Sequence, residues 1–127
     1  MPSYALRRLE WSVRALHQPA GIQGELFPAF VAVADELALD FDHWLAVAEG
    51  HSTFGPTQHS ALQALSRKLD DMSGDDHQIL WSLEALVAAP EWLAIRQLAG
   101  AVLEAFGWSA APPPPSPDAF VQSRSDA

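Results

Sequence analysis

The sequence predicts an all-α protein, a compact antiparallel bundle of about five helices with a Pro-rich C-terminal tail. Apolar residues recur at three- and four-residue spacing through almost the whole chain. No stretch alternates with the period of two that a half-buried strand requires. Prolines and glycines fall between the periodic stretches, at Pro19, Gly21, Gly50, Gly74, Pro90 and Gly107, where helices must stop or start. The 127 residues are the length of one domain. A chain of this size buries about two-thirds of the surface its unfolded form exposes, enough for a core without covalent help. There is no cysteine, which excludes disulfides, thiolate metal sites and cysteine nucleophiles.

The first helix is predicted from Ser3 to about Gln18, with Leu6, Leu9, Val13 and Leu16 on one stripe. Pro19 and Gly21 end it, since proline cannot continue the hydrogen-bond ladder. Residues 19–27 are expected to form a loop. Pro28 suits a first helical turn, where its missing N–H costs nothing, so the second helix is predicted from Pro28 to Glu49. Successive residues about 100° apart put Phe30, Val33, Ala34, Leu37, Phe41, Leu45 and Ala48 on its core side. Asp35, Glu36, Asp40, Asp42, His43 and Glu49 fall opposite.

Residues 50–56 read as a loop with Phe54 turned inward. The third helix, about Thr57 to Met72, carries Ala61, Leu62, Leu65, Leu69 and Met72 as its stripe. Ser73 or Asp75 can cap the fourth, about Asp76 to Ala88. Its Ile79, Leu80, Leu83, Leu86 and Val87 are expected to face inward. Pro90 opens the fifth, with Trp92, Ile95, Leu98, Ala99, Val102 and Phe106 directed to the core, and Gly107 ends it. The chain therefore divides into a helical domain, residues 1–108, and a flexible tail, residues 109–127. Four consecutive prolines in that tail favour polyproline II. It is expected to be mobile, or to be an arm docked on another surface.

Seven Lys and Arg oppose sixteen Asp and Glu, a net charge of −9. That balance argues against generic nucleic-acid binding, in which basic groups must replace the counterions of phosphates, and against an anionic membrane surface. No apolar run has the length of a membrane span, and the N-terminus lacks the layout of a secretory signal. A cytoplasmic protein is expected. The charge is unevenly placed. Residues 1–17 carry +2, residues 18–66 contain six acids and no Lys or Arg, and residues 67–127 carry −5. Such a field keeps proteins apart in solution and can also steer a basic partner.

Three features stand out against the helical background. Glu36, Asp40 and His43 share one strip of the second helix at i, i+4, i+7. Carboxylate and imidazole are metal ligands, but the facing ligands and Glu-x-x-His motifs of a bundle metal site are missing. Five tryptophans form the second feature. Trp92 lies on a core stripe and Trp44 at the edge of one, whereas Trp11 and Trp81 fall off theirs, where an indole either packs on a second neighbour or anchors a partner. The five histidines match no zinc spacing. Nucleophile elbows, phosphate-binding loops and dinucleotide fingerprints are absent. The acid pairs Asp70-Asp71 and Asp75-Asp76 read as helix ends.

In size, charge and helix content the chain is similar to bacterial immunity proteins and antitoxins that neutralise basic toxins, a likeness of class without a shared motif. The expected function is a protein-binding module, an acidic inhibitor of a basic partner. Its binding surface would hold Asp35, Glu36, Asp40, Asp42 and His43, with Trp44, Trp11 or Trp81 as anchor. No cofactor, bound metal or catalytic residue is expected on this reading. Two alternatives are a metal-dependent enzyme centred on Glu36, Asp40 and His43, and a homodimer built through Trp11 or Trp81.

Overall fold

The computed structural model describes residues 3–28 and 32–115. Among them are α1 (Tyr4–His17), α2 (Ala20–Glu25), α3 (Val33–His51), α4 (Pro56–Asp71), a 3₁₀ segment (Asp75–Trp81), α5 (Leu83–Ala88) and α6 (Pro90–Phe106), with no strand. The all-α bundle predicted from apolar spacing is the fold found. α1 packs on α3 and on α6, and α6 packs on α4 and α5.

α1 starts where expected. Ser3 is extended, and its Oγ accepts from the Leu6 N–H at 3.0 Å, which satisfies a donor that no earlier turn can reach. Leu9, Val13 and Leu16 are fully buried, each burial worth about 1.5–3 kcal/mol. Residues 19–27 are not the plain loop the sequence predicts. Pro19 takes the N-cap of a short helix, α2, instead of only ending α1. The cause is Gln23, which is fully buried. Its Nε2 donates to the Ala15 and Leu16 carbonyls, both at 3.1 Å, so α2 folds back to satisfy the end of α1. The Gln23 Oε1 accepts from Arg96 Nη2 at 3.1 Å. Arg96 also donates to the Gln18 carbonyl at 2.9 Å and to the Leu86 carbonyl. Burial disfavours its charge and lowers its pKa, and these three acceptors stand in for lost water.

α3 begins later than predicted. Ala32 is extended, with φ −80° and ψ 101°, so no continuous helix runs from Pro28. Phe30 lies outside the described residues. From Ala34 onward the predicted stripe holds, with Leu37, Phe41, Leu45 and Ala48 buried. The helix passes through Gly50 and ends at His51. α4 opens with Pro56 in its first turn, and the Gly55 N–H donates to Gln58 Oε1 at 3.0 Å. Phe54 turns inward as expected and meets Phe106 edge-on at 5.4 Å.

The predicted fourth helix is the main departure. Ser73 caps nothing downstream. Its Oγ donates back to the Leu69 carbonyl at 3.0 Å, and Gly74 turns the chain at φ 106°, a conformation that favours glycine. A 3₁₀ segment follows, and Ser82 then breaks the chain before α5. A 3₁₀ turn holds three residues, so a wheel drawn at 3.6 drifts by about 20° per residue. The expected inward set splits accordingly. Leu86 is buried and Leu80 half-buried, but Ile79, Leu83 and Val87 are 79%, 66% and 63% exposed. Trp81, expected to point away from the core, packs edge-on against Trp92 at 5.4 Å. α6 ends in a left-handed glycine, Gly107 (φ 70°), and the Trp108 N–H closes the turn on the Leu103 carbonyl at 2.9 Å.

Candidate functional site

α3 presents two outward strips. Glu36, Asp40 and His43 form one at i, i+4, i+7, and Asp35, Leu39 and Asp42 form another, turned by about 100°. Their neighbours give them different roles. The first strip leans on α1. Arg8 is buried and its Nη2 donates to Asp40 Oδ1 at 3.4 Å. The guanidinium also lies 5.4 Å from the Trp44 ring and 5.8 Å from the Trp11 ring, distances at which cation–π attraction operates. Trp44 meets Tyr4 edge-on at 5.5 Å and His43 at 4.6 Å. Burial pushes the Asp40 carboxyl above its ordinary pKa. The Arg8 charge and hydrogen bonds from Arg8 and Trp44 offset only part of this, and Glu36 adds to it. Asp40 and Trp44 are thus spent on holding α1 to α3, while His43 stays exposed and Glu36 partly so.

The second strip borders a groove of about 430 Å³, lined by Asp35, Ala38, Leu39, Asp42, Ser73, Gly74 and Trp81. Leu39 is 61% exposed between its two acids. Burial raises the Asp42 pKa, and the nearby Asp70 raises it further. No Lys or Arg lines the groove. Trp81 is half-buried and donates its indole N–H to the Met72 carbonyl at 2.8 Å. It also lines a neighbouring hollow with Pro28, Val33 and Leu83. Apolar surface therefore runs from Leu39 across Trp81 to Leu83.

Trp11 belongs to neither strip. It is buried, edge-on to Phe27 at 5.7 Å, and donates its indole N–H to the Pro114 carbonyl at 2.7 Å. Residues 110–114 lie along α1 through this bond and others from Arg14 and Gln18. The rest of the predicted tail, residues 116–127, lies outside the described residues.

The predicted surface is therefore divided. Asp35, Asp42 and Trp81 come together around one groove. Asp40, Trp44 and Trp11 converge on Arg8, and the Trp11 indole N–H turns away to the Pro114 carbonyl. Leu39, Arg8, Arg14 and Gln18 were not singled out by sequence. Leu39 had a legible signal, a lone leucine flanked by acids on the outward side of an amphipathic helix. The other three donate across 32 residues or more of chain, which local spacing does not report.

Among the described residues no group of three or more His, Asp or Glu converges as a metal site, and no helix is long and apolar enough to cross a membrane. The indole N–H groups of Trp11 and Trp81 both bond within the chain, Trp11 buried and Trp81 half-buried. No family model, curated protein or solved structure matches the chain.

Proposed function

We propose that the chain is a protein-binding module that takes a basic segment of another protein into the groove between α3 and the 3₁₀ segment, in the manner of an immunity- or antitoxin-type inhibitor. The observation that carries this is Leu39, exposed between Asp35 and Asp42 beside Trp81, in a groove lined by acids and no base. An exposed apolar patch rimmed by polar groups is a mark of an interaction surface. An acidic rim selects a cationic partner. A lysine or arginine would lay its aliphatic stem on Leu39 and Trp81 and its charge between the carboxylates. A cation there also relieves the repulsion between Asp42 and Asp70.

The test is affinity capture with the full chain from cells that make it, comparing wild type, Asp35→Lys/Asp42→Lys and a control, Glu104→Lys. Glu104 lines a separate hollow between α4 and α6. A basic protein retained by wild type and by the control, and lost with the double reversal, is expected. Equal retention by all three, or no protein retained specifically, would overturn the proposal.

A further inference from the structure

We propose that the Trp11–Arg14–Gln18 row of α1 is a binding site for polyproline II segments, occupied in cis by this chain's own residues 110–114. Four hydrogen bonds define it. Gln18 Nε2 donates to the Ala110 carbonyl at 3.0 Å, Arg14 Nε to Ala111 and Arg14 Nη2 to Pro112, both at 3.1 Å, and Trp11 Nε1 to Pro114 at 2.7 Å. The donors step down the helix as the acceptors step up the chain, so the two run antiparallel.

Their pitches agree. The six helical steps from 11 to 17 rise about 9 Å, and the extended step to Gln18 adds about 3 Å. Four steps of chain from 110 to 114, in the polyproline II geometry that the proline run favours, rise about 12 Å. The polarity agrees as well. A proline run has carbonyls to offer and no N–H, so a surface that reads it must supply donors, and all four bonds come from side chains, three on α1 and one on its C-cap, Gln18. Nothing in them reads a side chain of the strap. The one steric demand is Pro113, which is buried while its neighbours are exposed. The row is also held by contacts that do not involve the strap. Phe27 packs on Trp11, Glu10 lies 3.7 Å from Arg14, and Gln18 Nε2 also donates to the Arg14 carbonyl at 2.9 Å. Such preorganisation lowers the cost of binding.

A site that recognises main-chain carbonyls accepts any proline-rich segment of this geometry, including one from another protein. The tethered strap competes at an effective concentration on the order of millimolar, so the intact chain resists exchange and a weakened strap permits it.

The probe is a fluorescein-labelled peptide AAPPPPSP, the sequence of residues 110–117, titrated against full-length protein by fluorescence anisotropy. Pro113→Lys puts a long charged side chain at the one strap residue that is buried. It should bind the peptide at least ten-fold more tightly than wild type, with unchanged far-ultraviolet circular dichroism. Adding Arg14→Ala or Trp11→Phe should cost at least five-fold. Equal binding by wild type and the strap variant, binding indifferent to Arg14→Ala, or no saturable binding would each overturn the site.

Discussion

Asp40 and Asp42 sit two residues apart on one helix, and both hold their protons more tightly than an ordinary carboxylate, chiefly because burial disfavours the charge. Asp40 is buried against α1 with Arg8 as its partial remedy. Asp42 faces the groove, where burial and then Asp70 oppose its charge. The consequence for stability has a definite sign. The unfolded chain ionises Asp42 at the ordinary carboxylate value, the folded chain only at a higher one. Its contribution favours folding while it is protonated and is lost as pH rises through the raised value. Asp42→Asn is therefore expected to melt above wild type near neutral pH, with the gap closing in acid. Melting curves at the two pH values check this, and a variant that melts lower at neutral pH would contradict it. Residue roles were only partly legible in sequence. The strip spacing placed Asp35, Asp40 and Asp42 outward. It gave no sign that Asp40 meets Arg8, because a helical wheel records angle and not the neighbour standing at that angle.

At the scale of elements, the long helices were read well because their period is set by burial over four or five turns. α1, α4 and α6 begin and end within a residue or two of expectation, each with a cap, a proline or a glycine at the boundary. Short elements were read poorly. α2 exists to bring Gln23 under the end of α1, a long-range cause that six residues cannot display. The 3₁₀ segment and α5 passed for one helix because their composition permits it, and the substitution of one period for another turned Ile79, Leu83 and Val87 outward. Ser82 is the residue that separates them. Its Oγ accepts from the Ala85 N–H at 3.1 Å, and a helix of six residues has little stability of its own. Ser82→Ala should cost about 1 kcal/mol. Amide exchange should accelerate over residues 83–88 and stay unchanged in α6. Uniform acceleration across both would show that α5 is not a separately capped unit.

For the whole molecule, charge and surface chemistry are segregated. Two of the three arginines of α1 are consumed internally, Arg8 by Asp40 and Arg14 by the strap, while Arg7 is exposed. The acids of α3 that border the groove have no base lining it beside them. The composition showed this imbalance as a stretch of residues 18–66 without Lys or Arg, but only the fold divides it between an internal pair and an open groove. The same division sets apart two surfaces, an acidic apolar groove and a row of donors already filled by a proline strap. A photo-crosslinking residue at Leu39 in the full chain reports directly whether the groove meets a basic protein. Ala101, exposed on α6, serves as the comparison position. Irradiation of cells making each form should give an adduct with one basic protein from position 39 and none from position 101. The same adduct from both positions, or none from position 39, would contradict the account.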